Sequence, residues 1–215
     1  MIRKPKNWEN VKAATDRIQL PAGGYIVKIV AAKTASYNTD MGGQIDKLEI
    51  ALDIAEGEYK DFYQADYDSG KRQSEDYKWK GVLRQYLPME DGSENDEWRK
   101  SSLKAMMEAI EDSNGGYRYD WDKPESQLKG KTVGCVFRLE EWAMNGKKGW
   151  KAQPFKFVPV EAIRSGKFKM PKFKPHKDYP NDTPDNFQSD SRPASSAPAP
   201  SAYDPIDDEG DLPFN

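Results

Sequence analysis

The sequence holds a single cysteine, Cys135, and a single histidine, His176. One cysteine cannot form a disulfide framework or a cysteine metal cluster, and one histidine in a linker-like stretch argues against Ser-His-Asp or Cys-His catalysis. No apolar run approaches the roughly 18 to 20 residues of a bilayer-spanning helix, and no apolar signal segment follows the basic N-terminal residues. We therefore expect a soluble, cytoplasmic protein without membrane contact, metal or other cofactor.

Charge is distributed unevenly along the 215 residues. Residues 1–177 carry 32 Lys or Arg against 27 Asp or Glu, whereas residues 178–215 carry one Arg against nine acids. From about residue 166 the sequence loses apolar periodicity and becomes rich first in Lys and Pro, then in Pro, Ser and Ala, a composition typical of disorder. The predicted organisation is a folded domain over 1–165, a disordered linker over 166–206 and an acidic tip over 207–215.

Hydrophobic alternation with period two predicts five strands in the folded domain. A helix with period 3.6 is predicted between the third and fourth strand, over 95–114, and the dipeptide Asn145-Gly146 predicts a tight hairpin between the last two strands. The predicted strands cover 25–33, 45–54, 77–87, 132–142 and 149–158.

This β-β-β-α-β-β order matches the OB-fold, a partly open five-stranded barrel that binds oligonucleotides or oligosaccharides. The expected fold is therefore mainly β, with an OB-fold barrel, one helix between strands three and four, and a disordered C-terminal tail. The same order also permits an unrelated α+β sheet with one covering helix.

The predicted hairpin combines aromatic and basic residues. Single-stranded nucleic acid is bound by cations that follow the phosphates and by aromatic rings on which bases stack. The alternative is that the two tryptophans form a cross-strand pair and the lysines only solvate the turn. The candidate DNA-binding residues of this hairpin are Trp142, Lys147, Lys148, Trp150 and Lys151.

The third predicted strand is a second basic and aromatic run. Period two places Lys78, Lys80 and Arg84 on one face as candidate phosphate contacts, and it places Trp79 on the opposite face in the core. Tyr37, in the loop expected after strand one, is a further candidate for base stacking. Basic residues continue over 149–177, where they extend this track or contact the acidic tail.

Seven carboxylates lie between residues 56 and 76. Clustered carboxylates could hold Mg²⁺ for phosphodiester cleavage, so a metal-dependent nuclease is an alternative function. The stretch lacks the spacing and the terminal Glu of a calcium loop. A solvated loop between strands two and three is the favoured interpretation, with no catalytic role.

A basic OB-like body, a Pro/Ser/Ala linker and an acidic tip containing Leu212-Pro213-Phe214 together resemble bacterial-type single-stranded DNA-binding proteins. Tails in that family end in a run of Asp followed by Ile-Pro-Phe. Residues 3–11, 20–25 and 128–134 are similar to the phage and mobile-element versions of these proteins. The resemblance covers about residues 3–160 of the body together with the tip.

The resemblance implies a non-enzymatic protein of a bacterial host that coats single-stranded DNA without strong sequence preference during replication, recombination and repair. Its tip would recruit partner proteins of those processes. A recombination mediator or annealing protein is an alternative, and the sequence leaves a homo-oligomer open. Family tails end at the Phe, so the extra Asn215 argues against docking on the host's usual partners and favours a phage-specific partner. Carried over, the steering acids are Asp207, Asp208, Glu209 and Asp211, and the docking residues are Leu212, Pro213 and Phe214.

Overall fold

A computed structural model describes residues 3–4, 6, 19–38 and 43–184. The chain is mainly β, and both the five strands and the helix between the third and fourth strand are confirmed. The linker beyond residue 184 and the acidic tip lie outside the described residues. The elements are β1 (Gly23–Asn38), β2 (Gln44–Ile54), α1 (Phe62–Lys71), β3 (Val82–Tyr86), α2 (Glu94–Ser113), a 3₁₀ helix (Glu125–Leu128), β4 (Thr132–Met144), β5 (Lys147–Val158) and α3 (Val160–Arg164).

The strands form one antiparallel sheet in the order β3-β2-β1-β4-β5. The central strand β1 pairs with β2 along most of its length and with β4 through residues 23–28. Among the described residues, the edge strands β3 and β5 do not pair with each other. The sheet is therefore open, and the expected barrel is not confirmed.

One face of the sheet carries the hydrophobic core. Alternate residues of each strand point to this face, as the period of two requires, and α2 packs across β3, β4 and β5 to cover it. The helix contributes the apolar stripe that its 3.6 periodicity predicts. The core includes Val27, Ile29, Leu48, Ile50, Leu52, Val133, Cys135 and Phe137 from the strands, and Leu103, Met106, Met107 and Ile110 from α2.

Helix α2 begins with a side-chain cap. The Ser93 hydroxyl accepts a hydrogen bond from the Asp96 N–H at 3.2 Å, and acidic residues in the first turn complement the helix dipole. Asp96 is buried, yet Lys100 and the N–H groups of Met89 and Glu90 bind its carboxylate. Burial alone would raise the pKa of Asp96, but these partners lower it below its usual value. The ionised carboxylate therefore ties the β3–α2 connection to the helix.

Helix α1 lies where the sequence predicted a solvated loop, so that interpretation of residues 56–76 is wrong. Its first residues receive their cap from a different element. The buried carboxylate of Asp53, in β2, accepts hydrogen bonds from the N–H groups of Ile54, Tyr63 and Gln64 at 2.8 to 3.1 Å. Tyr63 then packs into the core against Phe137. The partner that caps α1 is distant in sequence, which explains why local patterns did not reveal the helix.

Residues 166–184 follow helix α3 and are here called the strap. Both α3 and the strap pack against the sheet. A Cβ atom at Gly24 would lie 2.5 Å from the Phe168 ring and 2.7 Å from Ile163, and one at Gly134 would lie 2.6 Å from Ile163. Glycine at these two positions therefore permits the close approach of the chain that follows β5.

The strap continues along the free edge of β4. The Lys174 N–H donates to the Leu139 carbonyl at 2.8 Å, and the Glu141 N–H donates to the Lys174 carbonyl at 2.8 Å. The sequence placed the start of the linker at residue 166. The structure differs because these backbone hydrogen bonds and the ring of Phe168 hold residues 166–184 against the folded body.

Replacing Asp53 with Ala should lower the free energy of unfolding by about 1 to 3 kcal/mol, since it leaves buried N–H groups at the start of α1 without an acceptor. Urea unfolding followed by circular dichroism measures the change. Asp68→Ala is the matched control, because Asp68 is exposed and its carboxylate accepts a hydrogen bond from the exposed Gln64 side chain. Equal stability of the two variants would contradict the capping role of Asp53.

Candidate nucleic-acid interface

The outer face of β1, β2 and β3 points away from the core. Antiparallel pairing sets Lys33 opposite Glu49 and Glu49 opposite Arg84, and it sets Lys47 opposite Tyr86. Residues directly opposite in such pairs share a face of the sheet, so the register alone assembles a mixed aromatic and charged surface. We define the outer face by Lys33, Tyr37, Lys47, Glu49, Arg84 and Tyr86.

Two tyrosine rings on the outer face flank one lysine. The Lys47 ammonium lies 5.2 Å from the centre of the Tyr37 ring and 4.1 Å from the centre of the Tyr86 ring. The Arg99 guanidinium lies 5.8 Å from the Tyr86 ring. Tyr37 is 36% exposed, so its ring is available to a planar ligand. Tyr37 belongs to the end of β1 instead of the loop that the sequence predicted.

Glu49 lies at the centre of the charged part of the outer face. Its carboxylate accepts hydrogen bonds from the Tyr37 hydroxyl and from Arg84 Nε, the latter at 2.9 Å, and Lys33 Nζ lies 3.5 Å away. The Tyr37 hydrogen bond is the main cause that lowers the pKa of Glu49; burial opposes it, and Arg84 and Lys33 lower it further. Glu49 is therefore ionised at neutral pH and its charge is shared among three partners.

A cleft of about 480 Å³ lies between the edge strands β3 and β5, beside α2. Its walls include apolar side chains such as Met106, Phe155 and Trp98. Arg84 and Tyr86 line the cleft and also belong to the outer face, so the two surfaces are continuous. The cleft is strongly basic: its charged lining residues are Arg84, Arg138, Lys151, Lys156 and Lys174 against Glu140.

Arg138 and Phe155 form a cation–π contact in the wall of the cleft. The buried Arg138 guanidinium lies 4.3 Å from the centre of the Phe155 ring and 2.9 Å from the Glu140 carboxylate. The β4–β5 register shifts between Val136 and Phe137, and Phe155 is the extra residue of this bulge. The bulge places the ring in the wall of the cleft, while Phe157 packs in the core.

The β4–β5 hairpin turns at Asn145 and Gly146, which both have positive φ, as the Asn-Gly signal predicted. Its register pairs Trp142 with Gly149 and Trp150 with Glu141. The two indoles therefore lie on opposite faces of the hairpin, and the alternative of a cross-strand tryptophan pair is wrong. Trp142 lies over Gly149, where a Cβ atom would come within 3.1 Å of the ring.

The hairpin face that carries Trp142 continues into the cleft. Lys147 pairs with Met144, and Lys151 pairs with Glu140, which places both lysines on the same face as Trp142. Lys151 is exposed at the cleft. The structure thus brings together three of the five hairpin candidates and joins them to Arg84 through the cleft.

Trp150 and Lys148, on the other face of the hairpin, contact the strap. The Trp150 and Phe173 rings meet edge to face with centroids 5.5 Å apart. Lys148 binds the Asp182 carboxylate and lies 4.6 Å from the centre of the Tyr179 ring. The hydrogen bond to Asp182 raises the pKa of Lys148 above its usual value. These two candidate DNA-binding side chains are therefore in contact with the strap.

Lys78 and Lys80 precede β3, so the prediction that they alternate with Trp79 on a strand is wrong. Lys80 Nζ lies 3.4 Å from the Asp66 carboxylate and 4.5 Å from the centre of the Tyr77 ring. Trp79 packs against the core as predicted, and its indole N–H donates to the Leu52 carbonyl at 3.1 Å. Neither lysine lines the cleft.

Two acidic residues of 56–76 have partners on other segments of the chain. Asp66 accepts a hydrogen bond from the Tyr77 hydroxyl at 2.6 Å, and Glu56 lies 3.2 Å from the Arg164 guanidinium. Across the described residues, no three Asp, Glu, His or Cys side chains converge in a geometry that could hold a metal ion.

The sequence analysis did not identify Lys47, Tyr86 and Arg138, which the structure places on the outer face or in the cleft. Lys47 lies two residues from Glu49, and Tyr86 lies two residues from Arg84, so period two could have placed them on one face. The hairpin faces were also predictable: a two-residue turn at Asn145-Gly146 pairs Trp142 with Gly149 by counting. The cleft itself was not predictable, because it depends on the distance between two strands that are remote in sequence.

No protein-family model matches this sequence, and comparison with curated proteins gives no significant match. None of the helices in the described part of the chain is both long enough and apolar enough to cross a membrane.

Trp150→Ala and Phe173→Ala should be non-additive in unfolding free energy by about 0.5 to 1.5 kcal/mol, the usual coupling of an aromatic pair. Urea unfolding of the two single variants and the double variant measures this coupling. Trp142→Ala with Phe173→Ala is the control and should be additive, because Trp142 lies on the opposite face of the hairpin. If the changes in unfolding free energy are additive in both cycles, the contact between Phe173 and Trp150 does not stabilise the fold.

Proposed function

We propose that this chain is a non-enzymatic single-stranded DNA-binding protein that coats DNA without strong sequence preference. The strand passes across the outer face and through the basic cleft. The observation that carries this proposal is the continuity of the two surfaces at Arg84 and Tyr86, which joins the partly exposed rings of the outer face to the lysines that line the cleft. Stacking on aromatic rings and attraction to phosphates are the two contributions that such binding requires.

The fold supports the same proposal. In a closed OB-fold barrel the third and fifth strands pair with each other. Without that pairing the strand order is β3-β2-β1-β4-β5, which is the order found here, with α2 after β3. OB-folds bind oligonucleotides with the face of strands two and three and with the loop between strands four and five. Here those regions hold Lys47, Glu49, Arg84, Tyr86 and the Trp142 hairpin.

In this proposal each residue has a defined role. Tyr37, Tyr86 and Trp142 offer ring faces to unpaired bases, and Lys147, Lys151, Lys156 and Lys174 attract the phosphates that follow the cleft. Bases in a duplex are already stacked and paired, so their faces are not available to these rings. The preference for single strands follows from this difference.

The chain should bind single-stranded DNA more tightly than duplex of the same length, with tryptophan quenching on binding. If three to five phosphates are neutralised in the cleft, log Kobs should fall with log[salt] with a slope of about −2 to −3.5. Fluorescence titrations at several salt concentrations measure both quantities. Lys151→Ala should reduce the slope by about 0.7, whereas Lys104→Ala, an exposed lysine of a different groove, should leave it unchanged.

Equal affinity for duplex, or a flat salt dependence, would contradict the proposed function. The annealing alternative is separated in the same preparation by mixing complementary strands. A coating protein leaves the rate of pairing unchanged or slows it, whereas an annealing protein accelerates it. Parallel titrations with an RNA oligonucleotide of the same sequence show whether the 2′-hydroxyl affects affinity.

The acidic tip is proposed to recruit replication or recombination proteins. It combines four acids that would attract a basic surface with Pro213 and Phe214, which would fill an apolar pocket. The tip is joined to the described body through residues 185–206, so a bound partner would stay tethered to the DNA-coating domain.

Phe214→Ala should lose these partners and leave DNA affinity unchanged, because it removes an apolar anchor and no charge. Pull-down with purified replication or recombination proteins, together with DNA titration, measures the two activities separately. Ser201→Ala is the control, since it alters the linker and leaves the tip intact. A Phe214→Ala protein that still captures every partner of the wild type would contradict the role of the tip.

A further inference from the structure

One acidic side chain lies within the surface proposed to bind a polyanion. Glu49 is central on the outer face, and its side chain is only 13% exposed, whereas its partners Lys33 and Arg84 are 72% and 48% exposed. Strand pairing sets it opposite both cations. A position directed at DNA phosphates would gain from a neutral or basic residue, so this carboxylate calls for a separate explanation.

We propose that Glu49 is a specificity-determining residue that confines phosphates to the cleft and leaves the outer face to bases; this inference rests on the proposed function. Its carboxylate neutralises Arg84 and Lys33 and holds the Tyr37 hydroxyl. A phosphate placed over the outer face would meet a fixed negative charge whose neighbouring cations are already engaged. The same phosphate in the cleft meets Lys151, whose side chain is exposed there.

Glu49 also fixes the ring on which a base would stack. The Tyr37 hydroxyl is bound to Glu49, and the Tyr37 ring faces the Lys47 ammonium on the same surface. A ring that is held at two points loses little further freedom when a base stacks on it. Glu49 therefore lowers the number of phosphate contacts on the outer face and orders an aromatic contact there.

The test is Glu49→Gln, which keeps the size of the side chain and removes its charge. We expect the variant to bind oligo(dT) about 3- to 10-fold more tightly at low salt. The slope of log Kobs against log[salt] should steepen by about 0.7 to 1.4, because one or two cations become available to phosphates. Glu56→Gln is the matched control: it makes the same charge change at the Arg164 pair, away from the outer face and the cleft.

A double-mutant cycle with Arg84→Gln locates the effect. Arg84→Gln should reduce affinity by a larger factor in the Glu49→Gln background than in the native chain, because only there is the guanidinium released from its partner. Thermal melts by circular dichroism check the fold of each variant. If Glu49→Gln does not reach the native melting temperature, Glu49→Ser repeats the measurement with a small uncharged side chain.

Glu49→Gln and Glu56→Gln proteins with equal affinity and equal salt slope would overturn the inference. So would weaker DNA binding by a correctly folded Glu49→Gln protein. The proposed function fails separately: in that case the wild-type chain itself shows no salt-dependent preference for single strands. The wild-type titration therefore distinguishes the two failures.

Discussion

The pairing of β1 with strands on both of its edges determines the rest of the structure. Its bonds to β4 cover only residues 23–28, whereas its bonds to β2 continue to Asn38. The far half of β4 thus extends beyond its β1 partner and is available to the hairpin and the strap. On the other side, β2 and β3 follow the register of β1, and this register aligns Lys33, Glu49 and Arg84 across three strands.

The sequence predicted those parts of the fold whose information is local. Strand periodicity, the apolar stripe of α2 and the Asn145-Gly146 turn each depend on residues within one or two elements. Helix α1 was missed because its cap comes from Asp53, across a chain reversal. The third strand was predicted too long. Trp79 has the core contact expected of a strand residue, since its indole N–H donates to the Leu52 carbonyl, but it lies before the start of β3.

The candidate site was predicted in composition more than in arrangement. The sequence identified the aromatic and basic residues of the hairpin. It did not show that these five candidates lie on two opposite faces of the hairpin, with different neighbours. Trp142, Lys147 and Lys151 adjoin the cleft, whereas Trp150 and Lys148 bind Phe173 and Asp182 of the strap. The contacts of Trp150 and Lys148 depend on a segment whose Lys- and Pro-rich composition is typical of disorder. Composition alone does not show that Phe168 of this segment packs on Gly24 of β1, or that Phe173 packs on Trp150 of β5.

The strap also affects how this protein behaves when many copies are crowded together. A strand edge with unbonded N–H and carbonyl groups is a template on which another chain can form a sheet. The Leu139 carbonyl and the Glu141 N–H lie on such an edge, and Lys174 bonds to both within the same molecule. The hairpin can therefore extend from the body without offering that stretch of backbone to a neighbour, which protects closely spaced copies from intermolecular β-aggregation.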